Sequence, residues 1–385
     1  MELSSLTRVV APTLSRQLFM MAKQYDDVVD FTLGDPDIPT PLPICEAAIN
    51  AAKAGHTRYA PNAGLPALRE AIAKQVSKES GIAYEANNVA VTVGATEAVY
   101  LAFMACIDPG DEVIILAPYW VQYENIVKLL GGKPVIIDTF KEGFEPDTDA
   151  IFKAITDKTK VIVVNSPNNP SGYIYDDSFL EVLEEMASAN HILIFDDEAY
   201  RSLVYEQVFP SITKYCRKED VVIINSFSKQ FAMTGWRVGY VVGEEDFIKE
   251  VIKFQQNIAV CVATPNQYAA IEAISNTDKY AVGIKDVFTK RRETLIRELN
   301  KIEKISYQAP QGTFYVFIDI SKTGLNSKLF CFGLLEKEHV AVIPGIAFGE
   351  AFDNYIRLAF TLNEDRIIEG CSRIKHYLDG LNRQY

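Results

Sequence analysis

The chain has 385 residues, of which 48% are hydrophobic and 23% are charged, so it contains ample apolar material for a large folded core. Its formal net charge of -13 at pH 7 argues against a general electrostatic attraction to nucleic acid or to an anionic membrane. We expect a cytoplasmic protein without membrane or metal partners, because the sequence shows no secretion signal, no apolar segment of roughly 20 residues, and no cysteine or histidine spacing typical of disulfides or metal sites.

The first predicted element is an extended segment near the N-terminus. Proline recurs at positions 36, 39, 41 and 43, and each proline disfavours helix at its own position and at the residue before it. From about residue 65 to residue 245, short β-branched runs alternate with longer stretches that carry apolar residues at helical spacing. This alternation predicts an α/β fold in which crossover helices join the strands of a mainly parallel sheet.

Seven short runs are the predicted strands of this sheet. They cover residues 89–93, 112–116, 134–137, 161–165, 192–196, 221–225 and 238–242. The predicted helices between them cover residues 65–77, 96–107, 119–130 and 178–189. Because most of the strands are solid apolar runs, we expect the sheet to be covered on both faces.

After about residue 245 the pattern changes to long helical segments. Strands are predicted at residues 312–318 and 340–343, and a closing helix at residues 364–381. This pattern is typical of a second, smaller α+β domain. The predicted division is an N-terminal segment at residues 1–44 associated with the small domain and the active site, a large domain at 45–280, and a small domain at 281–385.

A lysine stands at the end of the strand at residues 221–225, within the motif from Ser226 to Tyr240. Two serines precede Lys229, and Arg237 follows it eight residues later. A lone lysine is ordinarily a solvated surface residue, whereas residues that directly follow the strands of such a sheet line its ligand site. The motif resembles that of the class I and II aminotransferases of pyridoxal phosphate fold type I, and the resemblance extends over nearly the whole chain.

The resemblance implies pyridoxal 5′-phosphate (PLP) as the cofactor, held as a Schiff base on Lys229, with Ser226, Ser228 and Arg237 as ligands of its phosphate. The chemistry agrees with this grouping, because a lysine amine bonds to the aldehyde of the cofactor while an arginine binds phosphate bidentately. The implied fold type I combines a mainly parallel seven-stranded sheet, flanked by helices, with a smaller α+β domain.

Acidic residues follow the strand at residues 192–196, and by themselves they fit a solvated strand end. The family pattern places an aspartate three residues before a tyrosine, which selects Asp197 and Tyr200 over Asp196 and Glu198. By the resemblance, Asp197 keeps the pyridine nitrogen protonated, which makes the ring an electron sink, and Tyr200 donates a hydrogen bond to the phenolic oxygen.

Three further segments match the family, although each also has an ordinary structural explanation. The segment from Asn165 to Gly172 has the composition of a turn, and the resemblance makes Asn169 a second donor to the phenolic oxygen and a substrate contact. Ala95 and Thr96 stand at a predicted helix N-terminus, which is an anion site, and become phosphate contacts. Trp120 fits a core aromatic residue, but by the resemblance it stacks on the pyridine ring.

Other matches concern the partner subunit and the substrate. Tyr59 resembles a family tyrosine that reaches the phosphate of the neighbouring subunit, so it implies a homodimer with shared active sites; the alternative is a packed aromatic residue before a turn. Arg357 is expected to bind the α-carboxylate of the amino acid, and Gly34 to lend its backbone N–H to the same group. A surface ion pair is the alternative for Arg357.

The predicted reaction is transfer of an amino group from an L-amino acid to a 2-oxo acid, with glutamate and 2-oxoglutarate as one pair. Lys229 is the expected proton carrier, together with the catalytic residues Asp197 and Tyr200. A PLP-dependent carbon–sulfur β-lyase is the alternative enzyme, because the same residues hold the cofactor in both. A PLP-sensing regulator would need an additional DNA-binding domain.

The preferred amino acid is less well indicated. A related bacterial aspartate aminotransferase subgroup carries a lysine in the first phosphate loop, where this chain has Thr96, followed by Glu97. The missing cation argues against strict aspartate specificity, and Glu97 would oppose an acidic substrate if it faced the pocket. We also expect that the apolar residues 18–21 lie near the site or pack in the core. The hypothesis is broad specificity that includes neutral and aromatic partners, with aspartate retained.

Overall fold

The computed structural model describes residues 2–139 and 143–381. Its α-helices, α1 to α13 in chain order, are Leu14–Ala22, Leu42–Lys53, Pro66–Ser80, Gly94–Met104, Gln122–Leu129, Thr148–Ala154, Asp177–Ala189, Phe227–Gln230, Glu245–Ile258, Thr264–Ser275, Thr277–Leu299, Ser327–Glu338 and Glu364–Leu381. Within these described ranges, no helix is both long enough and apolar enough to cross a membrane.

The strands belong to three sheets. In chain order, β1 to β13 are Val29–Asp30, Val89–Thr92, Glu112–Ala117, Lys133–Asp138, Thr159–Asn165, Leu193–Asp197, Val221–Ser226, Gly239–Val242, Ser306–Tyr307, Tyr315–Asp319, Val340–Ala341, Ile343–Pro344 and Tyr355–Ala359.

The largest sheet has seven strands in the order β2-β8-β7-β6-β5-β3-β4. Strand β8 is antiparallel to both of its neighbours, and the other strand pairs are parallel. Successive residues of β7 alternate between two cores, since Val221 and Ile223 pack into one hydrophobic cluster and Val222 and Ile224 into another. Both faces are therefore covered, which is why these strands are solid apolar runs.

Local sequence signals explain where the helices on this sheet begin and end. Helix α3 begins with Pro66, whose missing N–H costs nothing in the first turn, and ends at Gly81, which adopts a φ of 77°. Helix α7 begins after Asp176, whose side chain accepts a hydrogen bond of 2.8 Å from the backbone N–H of Phe179. These residues fix where the crossover helices begin and end.

A second core forms around the four-stranded antiparallel sheet β12-β13-β10-β9. The N-terminal part of the chain joins this core, because β1 pairs in parallel with β11, Val29 lying opposite Val340. Helix α11 connects the two cores: Tyr280 packs under the large sheet, and Ile284 packs in the second core. The domain boundaries at residues 44 and 280 stay predictions.

The predicted α/β fold and its seven strands are confirmed, and each of these strands begins and ends within two residues of its predicted bounds. The remaining elements differ in three places. The predicted strand at residues 340–343 is two short strands in different sheets, β11 and β12. Strand β10 begins only at Tyr315, after Gly312 has formed an isolated bridge with Val204. Pro43 lies in the first turn of α2 instead of in extended chain.

Candidate active site

A cavity of about 300 Å³ lies at the carboxyl ends of the central strands of the large sheet. The parallel register brings these strand ends together, with Asn165 of β5 opposite Asp197 of β6. Ser226 ends the next strand, β7, and also lines the cavity. The smaller sheet completes the wall with Arg357 of β13.

The cavity brings together most of the residues that the sequence singles out. Those that line it are Gly34, Ala95, Thr96, Trp120, Asn169, Asp197, Tyr200, Ser226, Ser228, Lys229, Arg237 and Arg357. Tyr59 is the exception, since it does not line the cavity of its own chain and its side chain is 87% exposed. Its predicted contact with a second subunit stays a prediction.

Lys229 lies in the short helix α8, directly after β7, and its amine points toward the N-terminal segment. The Nζ atom donates a hydrogen bond of 2.6 Å to the backbone oxygen of Gly34. The pKa of Lys229 is lowered to about 8, mainly by burial; the nearby cations Arg237 and Arg357 contribute to the lowering, and Asp35 opposes it. The neutral amine, which is the nucleophilic and basic form, is therefore accessible near neutral pH.

Asp197 is the last residue of β6, and its carboxylate is held from two sides. The Tyr123 hydroxyl donates to Oδ2 at 2.5 Å, and the Ala199 N–H donates to Oδ1 at 3.1 Å. Burial raises the pKa of Asp197 to about 6, although both hydrogen bonds lower it. A cationic partner would favour the ionised carboxylate, as a protonated ring nitrogen does.

Asp196 is equally buried but does not line the cavity, and strand alternation points its side chain to the opposite face of the sheet. Its Oδ2 has no hydrogen-bond partner among the described residues. Burial, together with the neighbouring Glu198, raises its pKa well above the usual range. The geometry thus separates the two adjacent aspartates as the family pattern does.

A second group of lining residues offers hydrogen-bond donors and positive charge to an anion. Ser226 and Ser228 are both buried, and the Ser228 N–H donates to the Ser226 Oγ at 3.2 Å. Helix α4 begins at Gly94, so its first N–H groups have no partners within the helix. A Cβ atom on Gly94 would lie 2.3 Å from Nη2 of Arg237, so this close approach requires glycine.

Arg357 is buried beside Asn169 at the other wall. Its Nη1 donates to Asn169 Oδ1 at 3.1 Å, and its Nη2 donates to the backbone oxygen of Thr32 at 2.6 Å. The Nε–H has no hydrogen-bond partner among the described residues. A buried guanidinium with only neutral acceptors is suited to an incoming carboxylate. These contacts are inconsistent with the alternative of a surface ion pair.

These groups fit pyridoxal 5′-phosphate. Lys229 supplies an amine and Asp197 a carboxylate. Arg237 supplies a cation near the two serines and the N-terminus of α4, where Gly94 leaves room for the Arg237 side chain. Three of the lining residues are cationic and one is anionic, although the chain as a whole has a net charge of -13. The cavity therefore favours a phosphate and a carboxylate as ligands.

Several lining residues were not identified from the sequence. Tyr123 follows Trp120 by three positions, which places both near one face of a helical turn, but only the fold brings its hydroxyl to Asp197. Tyr315, in β10 of the smaller sheet, and Phe348, in the connection between β12 and β13, both contact Arg357. Thr13, at the N-terminus of α1, gives no signal in the sequence.

The structure decides between the alternatives that the sequence left open for Glu97 and for residues 18–21. The carboxylate of Glu97 accepts a hydrogen bond from the backbone N–H of Val93 and does not line the cavity, so it cannot oppose an acidic substrate directly. None of residues 18–21 lines the cavity: Leu18 packs in the second core, and Met20 and Met21 are exposed. The same helix instead presents polar residues from its first turn.

Comparison with known proteins identifies close relatives along most of the chain. Residues 26–374 match the family model described as aminotransferase class I and II. A protein of Aquifex aeolicus named probable aspartate/prephenate aminotransferase is 40% identical over 363 residues, covering 92% of this chain and 91% of the relative. The aspartate aminotransferase of Pyrococcus horikoshii is 40% identical over 370 residues, 95% of this chain and 94% of its own.

Solved structures show the same fold. The aspartate aminotransferase of Thermus thermophilus with maleate superimposes with a TM-score of 0.94 at 35% identity, covering 98% of this chain and 100% of the other. The aromatic aminotransferase of Pyrococcus horikoshii superimposes with a TM-score of 0.88 at 34% identity, covering 95% of this chain and 99% of the other.

The lowered pKa of Lys229 gives a pH-dependent prediction. Only the neutral amine attacks an aldehyde, so the rate at which apoprotein captures PLP should rise with pH and level off above about pH 8. Stopped-flow absorbance between pH 6 and pH 10 measures this rate, and borohydride reduction followed by peptide mapping should locate the label on Lys229. The Lys229→Ala control should retain the fold without any label. A rate that still climbs at pH 10, or label on another lysine, would contradict the assignment.

The two adjacent aspartates give a second prediction with a matched control. Asp197→Asn removes a charge that faces the cavity and should lower kcat by about 10³-fold or more, with a much smaller change in substrate affinity. Asp196→Asn makes the same substitution on the opposite face of the large sheet. It should keep kcat within about threefold of the wild type, because burial already disfavours the charge of Asp196. Steady-state kinetics of both variants test this; equal losses would mean that the wrong carboxylate was selected.

Proposed function

The chain belongs to the class I and II aminotransferases, which use pyridoxal 5′-phosphate, and from this premise we propose how its residues carry out transamination. The enzyme moves an amino group from an L-amino acid to a 2-oxo acid. One observation supports the proposal most directly: the amine of Lys229 and the buried guanidinium of Arg357 line the same cavity, so a substrate held by its carboxylate lies beside a base.

In the proposed mechanism Lys229 moves the proton. PLP, when bound, supplies an electron sink for the charge that develops as the Cα–H bond of the substrate breaks. Lys229, whose pKa is lowered to about 8, would accept the proton from the substrate Cα on its neutral Nζ amine. The Nζ ammonium would then give up this proton to complete the transfer of the amino group. Asp197, whose carboxylate accepts a hydrogen bond from the Tyr123 hydroxyl, would place its negative charge near the ring nitrogen.

Further residues are proposed to hold the cofactor without moving a proton. Tyr200 and Asn169 would donate hydrogen bonds to its phenolic oxygen, and Trp120 would pack against its ring. Asn169 is suited to this because its side-chain oxygen already accepts from Arg357, which leaves its NH₂ group as the donor. The phosphate is held by the remaining cofactor residues, which are Ala95, Thr96, Ser226, Ser228 and Arg237.

The substrate is proposed to bind through its α-carboxylate on Arg357, with Gly34 and Asn169 beside it. Apart from Lys229, Arg237 and Asp197, the other lining residues are neutral, and Thr13, Ser15 and Gln122 provide hydroxyl and amide groups. Such groups hydrogen-bond an acidic side chain without requiring one. We therefore propose glutamate and 2-oxoglutarate as one pair, and neutral, aromatic or aspartate side chains for the other. The related proteins named above include both aspartate and aromatic aminotransferases.

We also propose a homodimer in which Tyr59 enters the site of the partner subunit. A large aromatic side chain that is 87% exposed carries a hydrophobic cost that burial in an interface would remove. The anion-binding end of the cavity contains Arg237, which is itself exposed in the single chain. An additional hydroxyl from the partner would complete the donors around the phosphate.

The specificity proposal predicts comparable use of several amino acids. With 2-oxoglutarate as acceptor, kcat/KM for aspartate, phenylalanine, alanine and methionine should lie within about a hundredfold of one another, or roughly 2.7 kcal/mol in transition-state free energy. Thr96→Lys should raise the ratio of aspartate to alanine by adding a cation to the wall. A larger preference for aspartate in the wild type would contradict broad specificity.

Pyruvate release from cystathionine without an amino acceptor would indicate a β-lyase.

The shared site predicts complementation between two inactive variants. Tyr59→Ala and Lys229→Ala homodimers should both be inactive, whereas their mixture should recover activity, because one site of each heterodimer receives both native residues. Mixing Lys229→Ala with Asp197→Asn is the matched control, since those two residues line the site of one chain and no site can be restored. Subunit exchange is verified with differently tagged chains. If the subunits exchange but activity does not recover, Tyr59 acts within its own chain.

A further inference from the structure

Tyr315 is a buried residue of the smaller sheet that lines the cavity without belonging to any of the sequence motifs. It begins β10, which pairs antiparallel with β13 so that Phe317 lies opposite Arg357. Because side chains alternate along a strand, Tyr315 projects from the same face as Phe317 and Arg357. One sheet therefore delivers both the tyrosine and the arginine to the site.

The ring of Tyr315 packs against the guanidinium of Arg357. The Arg357 Cζ atom lies 4.4 Å from the centroid of this ring and 5.0 Å from that of Phe348. Both distances are within the range of cation–π attraction, and the two rings restrict the positions open to a long, flexible side chain. The backbone oxygen of Thr32 and the side chain of Asn169 then fix the guanidinium by hydrogen bonds.

The hydroxyl of Tyr315 contacts a different functional residue. Its oxygen lies 3.0 Å from the hydroxyl oxygen of Tyr200. Tyr200 has one proton to donate, so when it donates to the phenolic oxygen of the cofactor it can still accept a hydrogen bond from Tyr315. A chain of two hydrogen bonds polarises the second donor and fixes its direction.

The backbone of Gly34 makes this arrangement possible. A Cβ atom at Gly34 would lie 1.8 Å from the Tyr315 hydroxyl oxygen, so the hydroxyl occupies the space that any other residue would fill. The backbone oxygen of the same glycine accepts the hydrogen bond from Lys229. Tyr315 thus stands where the N-terminal segment, the large sheet and the small sheet meet.

From these contacts we infer that Tyr315 is a positioning residue with two separable actions: its ring holds Arg357 for the substrate carboxylate, and its hydroxyl directs the proton of Tyr200 toward the cofactor. The inference rests on the roles proposed above for Tyr200 and Arg357.

The two actions can be separated by two substitutions in the holoenzyme. Tyr315→Phe keeps the ring and removes the hydroxyl, so Tyr200 loses its donor and the deprotonated form of the cofactor loses stabilisation. The absorbance titration of the bound cofactor should therefore move to higher pH by about 0.5 to 1 pH unit, with KM for 2-oxoglutarate within about twofold of the wild type. Tyr315→Leu also removes the aromatic face and should raise KM by about tenfold.

Tyr84→Phe is the matched control, because Tyr84 is buried under the large sheet with a hydroxyl that has no hydrogen-bond partner among the described residues. It should change neither the titration nor KM. Thermal melting separates loss of fold from loss of positioning, and Tyr315→Met replaces the leucine variant if the latter does not fold.

An unmoved titration in Tyr315→Phe would overturn the action assigned to the hydroxyl. An equal rise of KM in the phenylalanine and leucine variants would overturn the action assigned to the ring. A wild-type holoenzyme that titrates normally but transfers no amino group would instead refute the proposed function.

Discussion

Lys229, Arg237 and Arg357 line one cavity, and among the described residues that line it only Asp197 is anionic, so the lining carries a net positive charge. Burial is the main cause of the lowered pKa of Lys229, and the like charges of Arg237 and Arg357 add to it while Asp35 opposes it. Anionic ligands relieve the repulsion between these like charges. The arrangement gives a strongly acidic chain a local site that favours anionic ligands such as a phosphate and a carboxylate.

The cavity also depends on contributions from both cores. The large sheet supplies Asp197 and Lys229 from the ends of neighbouring strands, and its rigid, fully buried strands fix their spacing. The small sheet supplies Arg357, which donates a hydrogen bond to Asn169 in the segment that follows β5 of the large sheet. A change in the relative position of the two cores would therefore alter the distance between the guanidinium of Arg357 and the amine of Lys229, and with it the orientation of any ligand that contacts both.

The sequence predicted the large sheet well, because strands buried on both faces must be apolar at successive positions and this pattern is visible without the fold. It also predicted cavity residues that stand directly after strands, such as Asn169 and Lys229. It did not indicate Tyr123 or Tyr315, since a buried tyrosine looks like core until the fold places its hydroxyl beside a partner. The direction of Glu97 was equally unpredictable, because one backbone N–H decides it. The split at residues 340–343 depends on two strands, β1 and β13, that are far apart in the chain.

The pairing of β1 with β11 has a consequence for how the protein is made. Val29 is synthesised early, but its partner Val340 leaves the ribosome only after more than three hundred further residues, which takes on the order of tens of seconds at typical translation rates. The seven strands of the large sheet, which end at Val242, can assemble in that interval. Thr32 and Gly34, which follow β1, cannot take their final positions until β11 and β13 have emerged. A nascent chain can therefore bury most of its core while it still lacks a substrate site, and only the last part of synthesis makes it an enzyme.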